Sequence, residues 1–443
     1  MKYNRFSVKI CLALICAGLL LSSCDKGTQM SFPLDDIIFD ASGLDTMTIQ
    51  ISGNVSWTAT VKQEKWLKVE PSQGNGDGTL ILIADENEVF SDRETFVTIS
   101  GDGRTDSIRV IQKATIDVVE MITDAEFRKY CLYLFDESQD GKISLKEAKN
   151  VDDKIENEKS ISRTKMIVKG LKIASLNGIE YFTKIRELNC ENNQIEEIDV
   201  SKNKELRFLN CSYNAKIEKI EVGELTRLIS LKVYNTNIKN IDVSKNEVLS
   251  ELWVSNNLIT SINVSNNKEL YLLQCNNNQL TSIDVSKNPK LTNLYCANNK
   301  LTTININSNT DLVTLYCSDN QLTSLDFSNN KKLQILWCAS QYNETTQLRL
   351  TSLSLTNNTE LIELRCDNND IAVLDVSRNL RLRDLYCSSN KLKGTIDISN
   401  NKELRYIDLR NNPELTTIQV WRGFDTLNRN YEKDGSAKWE EKP

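Results

Sequence analysis

Eight cysteines sit on one rung of a repeating frame: Cys190, Cys211, Cys275, Cys296, Cys317, Cys338, Cys366 and Cys387, most of them 21 residues apart. Each follows a pair of Leu or Ile residues in the pattern L-x-x-L-x-C-x-x-N. A short fixed period means one supersecondary unit copied many times, and no copy can bury its apolar face without a neighbour. Val233, Val254 and Leu409 continue the rung where Cys is replaced, which gives about eleven repeats. A second motif recurs between rungs, as in Leu280-Thr281-Ser282-Ile283-Asp284-Val285-Ser286-Lys287-Asn288, so both legs of every repeat carry inward apolar residues. Parallel strands stack about 4.8 Å apart, and eleven of them make a sheet of roughly 50 Å. Thiols on one rung then lie farther apart than the ~3.8 Å Cβ separation of a disulfide. Burial in an apolar column also raises a thiol's pKa and makes it inert. The rung is therefore expected to be core packing. Asn stands three residues after most of the cysteines, at Asn193, Asn214, Asn278, Asn299, Asn320, Asn369 and Asn390. An interior amide column of this kind can satisfy backbone groups where the strands end.

The pattern is that of a leucine-rich repeat. With Cys on the inner rung it resembles the cysteine-containing internalins and the leucine-rich surface proteins of gut and oral bacteria, over about Lys169 to Val420. The resemblance implies binding to host or microbial surfaces. The chain departs from the frame at Gln341, where Asn is expected, and through extra residues around Tyr342 to Leu348.

One residue per repeat, just before the cysteine rung, points to solvent: Asn189, Asn210, Lys232, Trp253, Gln274, Tyr295, Tyr316, Trp337, Arg365, Tyr386 and Asp408. Five of these eleven are aromatic in a chain that is 7% aromatic. Phe208, Tyr234, Tyr271 and Tyr406 project from nearby outward positions. Exposed rings give contact area at little cost in rotamer freedom, so Trp253, Gln274, Tyr295, Tyr316, Trp337, Arg365 and Tyr386 form the candidate ligand-binding row of a concave face. Rings also stabilise neighbouring strands through cross-strand contacts, and that reading stands beside the first.

The N-terminus carries Lys2, Arg5 and Lys9, then an apolar run from Ile10 to Leu21, then Leu21-Ser22-Ser23-Cys24. The run is too short to span a bilayer, and the tetrapeptide resembles a bacterial lipobox. Residues 1–23 are thus expected to be a lipoprotein signal peptide, with Cys24 carrying the lipid and residues 24–31 forming a tether. Cleavage would remove three cations and no acid and take the formal charge from -7 to -10. No basic patch then suggests nucleic acid. The chain has no histidine, which excludes Ser-His-Asp and Cys-His machinery and the usual His-bearing zinc sites.

Between about residues 32 and 115, runs of alternating polarity are broken by Gly74-Asn75-Gly76-Asp77-Gly78 and Gly101-Asp102-Gly103, which predicts an Ig-like β-sandwich. Asn54-Val55-Ser56-Trp57, Trp66-Leu67-Lys68-Val69, Pro71-Ser72-Gln73-Gly74, Asp92-Arg93 and Val110-Ile111-Gln112-Lys113 resemble the BACON family, named for its proposed carbohydrate binding. Trp57 and Trp66 each head a strand with alternating apolar partners, so they are read as core residues ahead of a sugar-stacking platform.

Residues 116–168 are expected to be a helical linker and N-terminal cap. Thr123-Asp124-Ala125-Glu126 has the spacing of a capping box, and Phe127, Tyr130, Cys131, Leu134 and Phe135 follow at helical spacing. The next twelve residues, Asp136 to Glu147, match an EF-hand loop. Asp136, Ser138, Asp140, Ser144 and Glu147 offer side-chain oxygens, Lys142 its carbonyl, and Gly141 the sharp turn. A structural calcium ion is the expected cofactor.

The sequence therefore predicts a mainly β, multidomain chain: an Ig-like β-sandwich, a short helix-loop-helix calcium segment, a leucine-rich-repeat solenoid over 169–420 and a C-terminal cap over 421–443, where Trp421, Phe424, Tyr431 or Trp439 supply apolar cover. The expected function is non-enzymatic: a monomeric outer-membrane or cell-surface lipoprotein that recognises a host or microbial protein or glycan, touching the membrane only through its N-terminal lipid. The alternatives are a glycan-capture accessory of polysaccharide uptake and, more remotely, a glycan-active enzyme.

Overall fold

The computed structural model describes residues 30–41, 45–62, 65–150 and 162–442. The expected signal peptide and Cys24 lie outside the described residues. The chain divides after Thr115 into two compact units.

The first unit is built of β1 (Ile37–Phe39), β2 (Asp45–Ile51), β3 (Ser56–Val61), β4 (Leu67–Glu70), β5 (Gln73–Asn75), β6 (Gly78–Ala84), β7 (Arg93–Gly101) and β8 (Arg104–Gln112). They form a five-stranded sheet, β1-β8-β7-β3-β5, and a three-stranded sheet, β2-β6-β4. Alternation along β3 and β6 sends every second side chain into one core, where Trp57, Leu80, Leu82, Val97, Ile99 and Ile108 meet. Trp57, in β3, is 3% exposed and Trp66, just ahead of β4, is 7% exposed, so both indoles are core. Trp57 donates its indole N–H to the Gly76 carbonyl at 3.0 Å. A Cβ at Gly74 would stand 2.2 Å from the Trp57 ring. The glycine-rich stretch therefore does more than turn: Gln73-Gly74-Asn75 is itself the strand β5, paired with Ser56–Thr58, and its glycine leaves room for the indole.

The second unit opens with helices α1 (Val118–Met121), α2 (Ala125–Phe135) and α3 (Leu145–Lys149). The N-cap of α2 is Asp124, one residue later than the expected capping box. Its carboxylate accepts the Glu126 and Phe127 N–H groups, both at 3.0 Å. Phe127, Cys131, Leu134 and Phe135 turn one face of α2 into the solenoid core, and Phe135 meets Phe182 at 4.5 Å between ring centroids. Ile167 donates its backbone N–H to the Tyr130 hydroxyl at 2.8 Å, and Ala174 donates to the Asp124 carboxylate at 2.8 Å. Helix α2 thus closes the open end of the repeat stack, which would otherwise expose apolar side chains.

Thirteen parallel strands form the main sheet of this unit. It begins at Lys165–Ile167, ahead of the expected first turn at Lys169, and ends at Tyr431–Lys433, within the stretch expected to abandon the period. Most strands are only three residues long, and those from Glu187–Asn189 to Asp384–Tyr386 present their middle Leu inward. Three residues give too few ladder bonds to hold a strand alone, so side-chain amides complete the pairing. Asn299 donates from Nδ2 to the carbonyls of Cys275 at 3.0 Å and Cys296 at 3.1 Å, and its Oδ1 accepts the Leu280 N–H at 3.0 Å. Asn193, Asn214, Asn278, Asn320, Asn369 and Asn390 repeat the pattern. Gln341, the apparent departure, fills the same role, donating to Cys317 O at 2.8 Å and accepting from Leu322 N–H at 3.0 Å.

A second amide column runs along the opposite leg, beside the inward apolar residues of the recurring motif. Asn288 donates to the carbonyls of Val264 at 3.0 Å and Asn267 at 2.9 Å. Asn246, Asn267, Asn309, Asn330 and Asn379 do likewise, each fully buried or nearly so. The turn before each is fixed by an Asp or Asn side chain that accepts a backbone N–H two residues on, as Asp284 does from Ser286 at 2.9 Å. Hydrogen bonds from these serines hold the Asp199, Asp284 and Asp326 carboxyls below their usual range. At the far end, Phe424 packs on Trp421 at 4.8 Å, Tyr431 at 4.8 Å and Trp439 at 4.9 Å, all against the same core.

The cysteines of the ladder are free and buried. Burial pushes the Cys211 and Cys296 thiols up to about 12. Native protein at pH 8 should therefore leave these thiols unlabelled by iodoacetamide and release them to it only in denaturant, as counted by mass spectrometry. Asn299→Ala should lower stability to urea by about 3 kcal/mol, because it strands several buried backbone groups at once. Asn299→Gln should recover part of that loss, since Gln341 shows that the longer amide can reach the same carbonyls.

Candidate functional site

Strict register carries the candidate row across the sheet: Trp253 pairs with Gln274, Gln274 with Tyr295, Tyr295 with Tyr316, Tyr316 with Trp337, Trp337 with Arg365 and Arg365 with Tyr386. All seven side chains are half-buried on the solvent side of the sheet. They are half-buried because they cover one another. Tyr316 and Trp337 stack face to face at 4.0 Å with 3° between their planes, and Tyr295 meets Tyr316 edge-on at 4.9 Å. The Arg365 guanidinium lies 4.4 Å from the Trp337 ring and 4.1 Å from the Tyr386 ring, and Tyr386 stacks on Tyr406 at 4.5 Å. Glu363 fixes this arrangement, accepting from Arg365 Nε at 2.8 Å and from Trp337 Nε1 at 3.0 Å. A second cluster joins Tyr213, Tyr234 and Trp253, with the Lys232 ammonium 4.6 Å from the Trp253 ring. Gln274 stands in the gap between the two.

The stacking decides what the row offers. Both faces of Trp337 are occupied, one by Tyr316 and the other by Arg365. A platform that stacks on a sugar ring needs an open ring face, and Trp337 offers none.

The register also exposes a feature that single-row reading missed. Across four consecutive strands the segments Tyr271–Asn276, Thr292–Ala297, Val313–Ser318 and Gln334–Ala339 contain no Asp, Glu, Lys or Arg, in a chain that is 26% charged. Half-buried Leu272 and Ile335 join Tyr295, Tyr316 and Trp337 there. Charge returns on both sides, with Glu251 and Lys232 before the centre and Glu363, Arg365 and Asp384 after it. The signal was present in the sequence as four successive uncharged windows at the repeat period.

The segment expected to bind calcium connects α2 to α3. Gly141 takes φ 78°, and its N–H reaches the Asp136 carboxylate at 3.0 Å. Asp140 accepts the Lys142 N–H at 2.9 Å. Ser144 and Glu147 form the true capping box of this region, at the N-terminus of α3. Glu147 Oε2 accepts Ser144 N–H at 2.8 Å, while its Oε1 accepts the N–H groups of Glu137 at 3.0 Å and Ser138 at 3.1 Å. The all-oxygen donor set is of the type a hard divalent cation takes. In this structure, however, the loop's own amides engage the Glu147 carboxylate, and among the described residues no group of three or more acidic or thiol side chains converges as a metal site.

Residues 55–113 match the family model BACON, described as a putative binding domain, N-terminal. No curated protein matches the chain. Among solved structures, an internalin, InlF, from Listeria monocytogenes is 23% identical over 73% of this chain and 97% of its own, with a TM-score of 0.56. The functional domain of InlJ from the same organism, whose structure includes a cysteine ladder, is 23% identical over 72% of this chain and 81% of its own, with a TM-score of 0.45. The leucine-rich repeat domain of APL1B is 16% identical over 63% of this chain and 94% of its own, with a TM-score of 0.47. The chain thus joins a BACON domain to a leucine-rich-repeat solenoid similar in fold to the internalins.

Proposed function

We propose that this protein is a non-enzymatic surface-binding lipoprotein whose solenoid recognises a protein partner through the centre of its concave face. One observation carries the reading: a charge-free patch, four strands wide and rich in aromatic and aliphatic side chains, is flanked on both sides by charged residues. Protein interfaces have this anatomy, with charge depleted and rings enriched at the core and a polar rim around it. The closed faces of Trp337 favour a protein over a stacked glycan chain, which keeps glycan capture as the second reading. Lipidation at Cys24 would place the chain at a cell surface, where many tethered copies would gain avidity. The N-terminal unit, read as an Ig-like sandwich, would serve as a spacer in this arrangement.

Chemical cross-linking on intact cells, followed by purification of the captured partner, would supply the ligand for a direct test. Trp337→Ala and Tyr316→Ala should each weaken its binding by about 2 kcal/mol or more, as central interface rings do. Unchanged affinity in both variants, with their melting temperatures intact, overturns the reading.

The Asp136–Glu147 loop is proposed to hold calcium in a structural role, on the strength of its donor sequence and the turn at Gly141. Calcium should then raise the melting temperature of the wild type and not that of Glu147→Gln. Equal melting temperatures with calcium and with chelator would leave Glu147 as a helix cap alone.

A further inference from the structure

The aromatic row stops short of the first repeats. Its rung there carries Asn189 and Asn210, and the missing rings leave a hollow of about 410 Å³ over the backbone of Leu188 and Leu209. That volume lies in the range of small-ligand clefts. Its charged side chains are balanced, with Lys165 and Lys232 against Glu187 and Glu251. The carboxylates are held in place: Lys165 reaches Glu187 Oε2 at 3.2 Å, and Ser230 donates to Glu251 Oε2 at 3.0 Å. Asn189 and Asn210 are oriented through their carbonyl oxygens, which accept the N–H groups of Glu191 and Ser212, both at 3.1 Å. One apolar side chain borders the hollow, Phe208, which is 44% exposed.

We infer that this hollow binds a neutral, hydroxyl-rich ring, that is, a saccharide unit. Equal numbers of cations and carboxylates give no net attraction for an ion. Carboxylates keep lone pairs for hydroxyl protons, and the Asn189 amide, the Asn210 N–H left over from its bond to Glu191 at 2.9 Å and the ammonium groups donate to hydroxyl oxygens, so a polyol can engage both kinds at once. Phe208 covers the less polar side of such a ring. The site is separate from the central patch and does not rest on the protein-binding reading.

The test titrates the full-length mature protein with glucose, galactose, mannose, N-acetylglucosamine and glucuronate, followed by calorimetry and saturation-transfer NMR. At least one neutral sugar should bind. Asn210→Tyr places in the hollow the residue that Tyr295 and Tyr316 already are on the same rung, so it should keep the melting temperature while weakening sugar binding about tenfold or more. Glu187→Gln should weaken it as well, and Trp337→Ala should leave it unchanged. The inference is overturned if no neutral sugar binds, if Asn210→Tyr binds as the wild type does, or if only glucuronate binds and Lys232→Met abolishes it. None of these outcomes bears on partner binding at Trp337, whose loss or survival is read separately.

Discussion

Every other property of the solenoid depends on buried amides that join one repeat to the next. A three-residue strand supplies too few backbone bonds to define a sheet, and its turns would bury carbonyl and N–H groups far from water. The Asn299 side chain answers both needs, bonding within its own repeat and to the one before. The second column, through Asn288 and its equivalents, ties each repeat to the one before on the other leg, by its Nδ2 alone. With the carbonyls of both turns bonded by these two columns, the space between them is left to Leu, Ile, Val and Cys. Exposed ion pairs between neighbouring repeats, such as Lys332 with Asp311, add little by comparison.

That division of labour frees the outer face. Strand pairing keeps outward residues in straight rows, so identity on one rung can change without disturbing the interior. The rings from Tyr295 to Trp337 exploit this by stacking along the row, and Arg365 extends the stack between Trp337 and Tyr386. Cross-strand stacking of this sort stiffens the sheet and would also fix which edges of the rings a partner could meet. The stabilising role of these residues and the binding role proposed for them are therefore one arrangement seen from two sides.

Periodicity made the solenoid legible. Inward Leu, Cys and Asn positions follow from counting alone, and so does the outward row, because a strand alternates faces. What counting could not give was contact between neighbours. The closure of the Trp337 faces depends on rotamers, and the hollow at Asn189 and Asn210 depends on what is small beside what is large. Short strands were the other blind spot. β1 and β5 are three residues each, and Gln73-Gly74-Asn75 carries turn residues although it pairs as a strand. The loop from Asp136 to Glu147 was legible as a donor sequence, but the same Ser144 and Glu147 also satisfy the pattern of a helix cap, and composition does not separate the two.

The seven extra residues around Tyr342 to Leu348 enter just after Gln341, where the link to the neighbouring repeat passes through a side chain. Asn343 gathers the excursion by accepting the Thr345 and Thr346 N–H groups at 3.1 and 2.9 Å, and the next Leu, Leu350, returns to the core. A solenoid wired in this way can change the length of a single coil without transmitting the disturbance along its axis. Such proteins can therefore diversify their edges locally, one coil at a time, while the spine keeps a constant pitch.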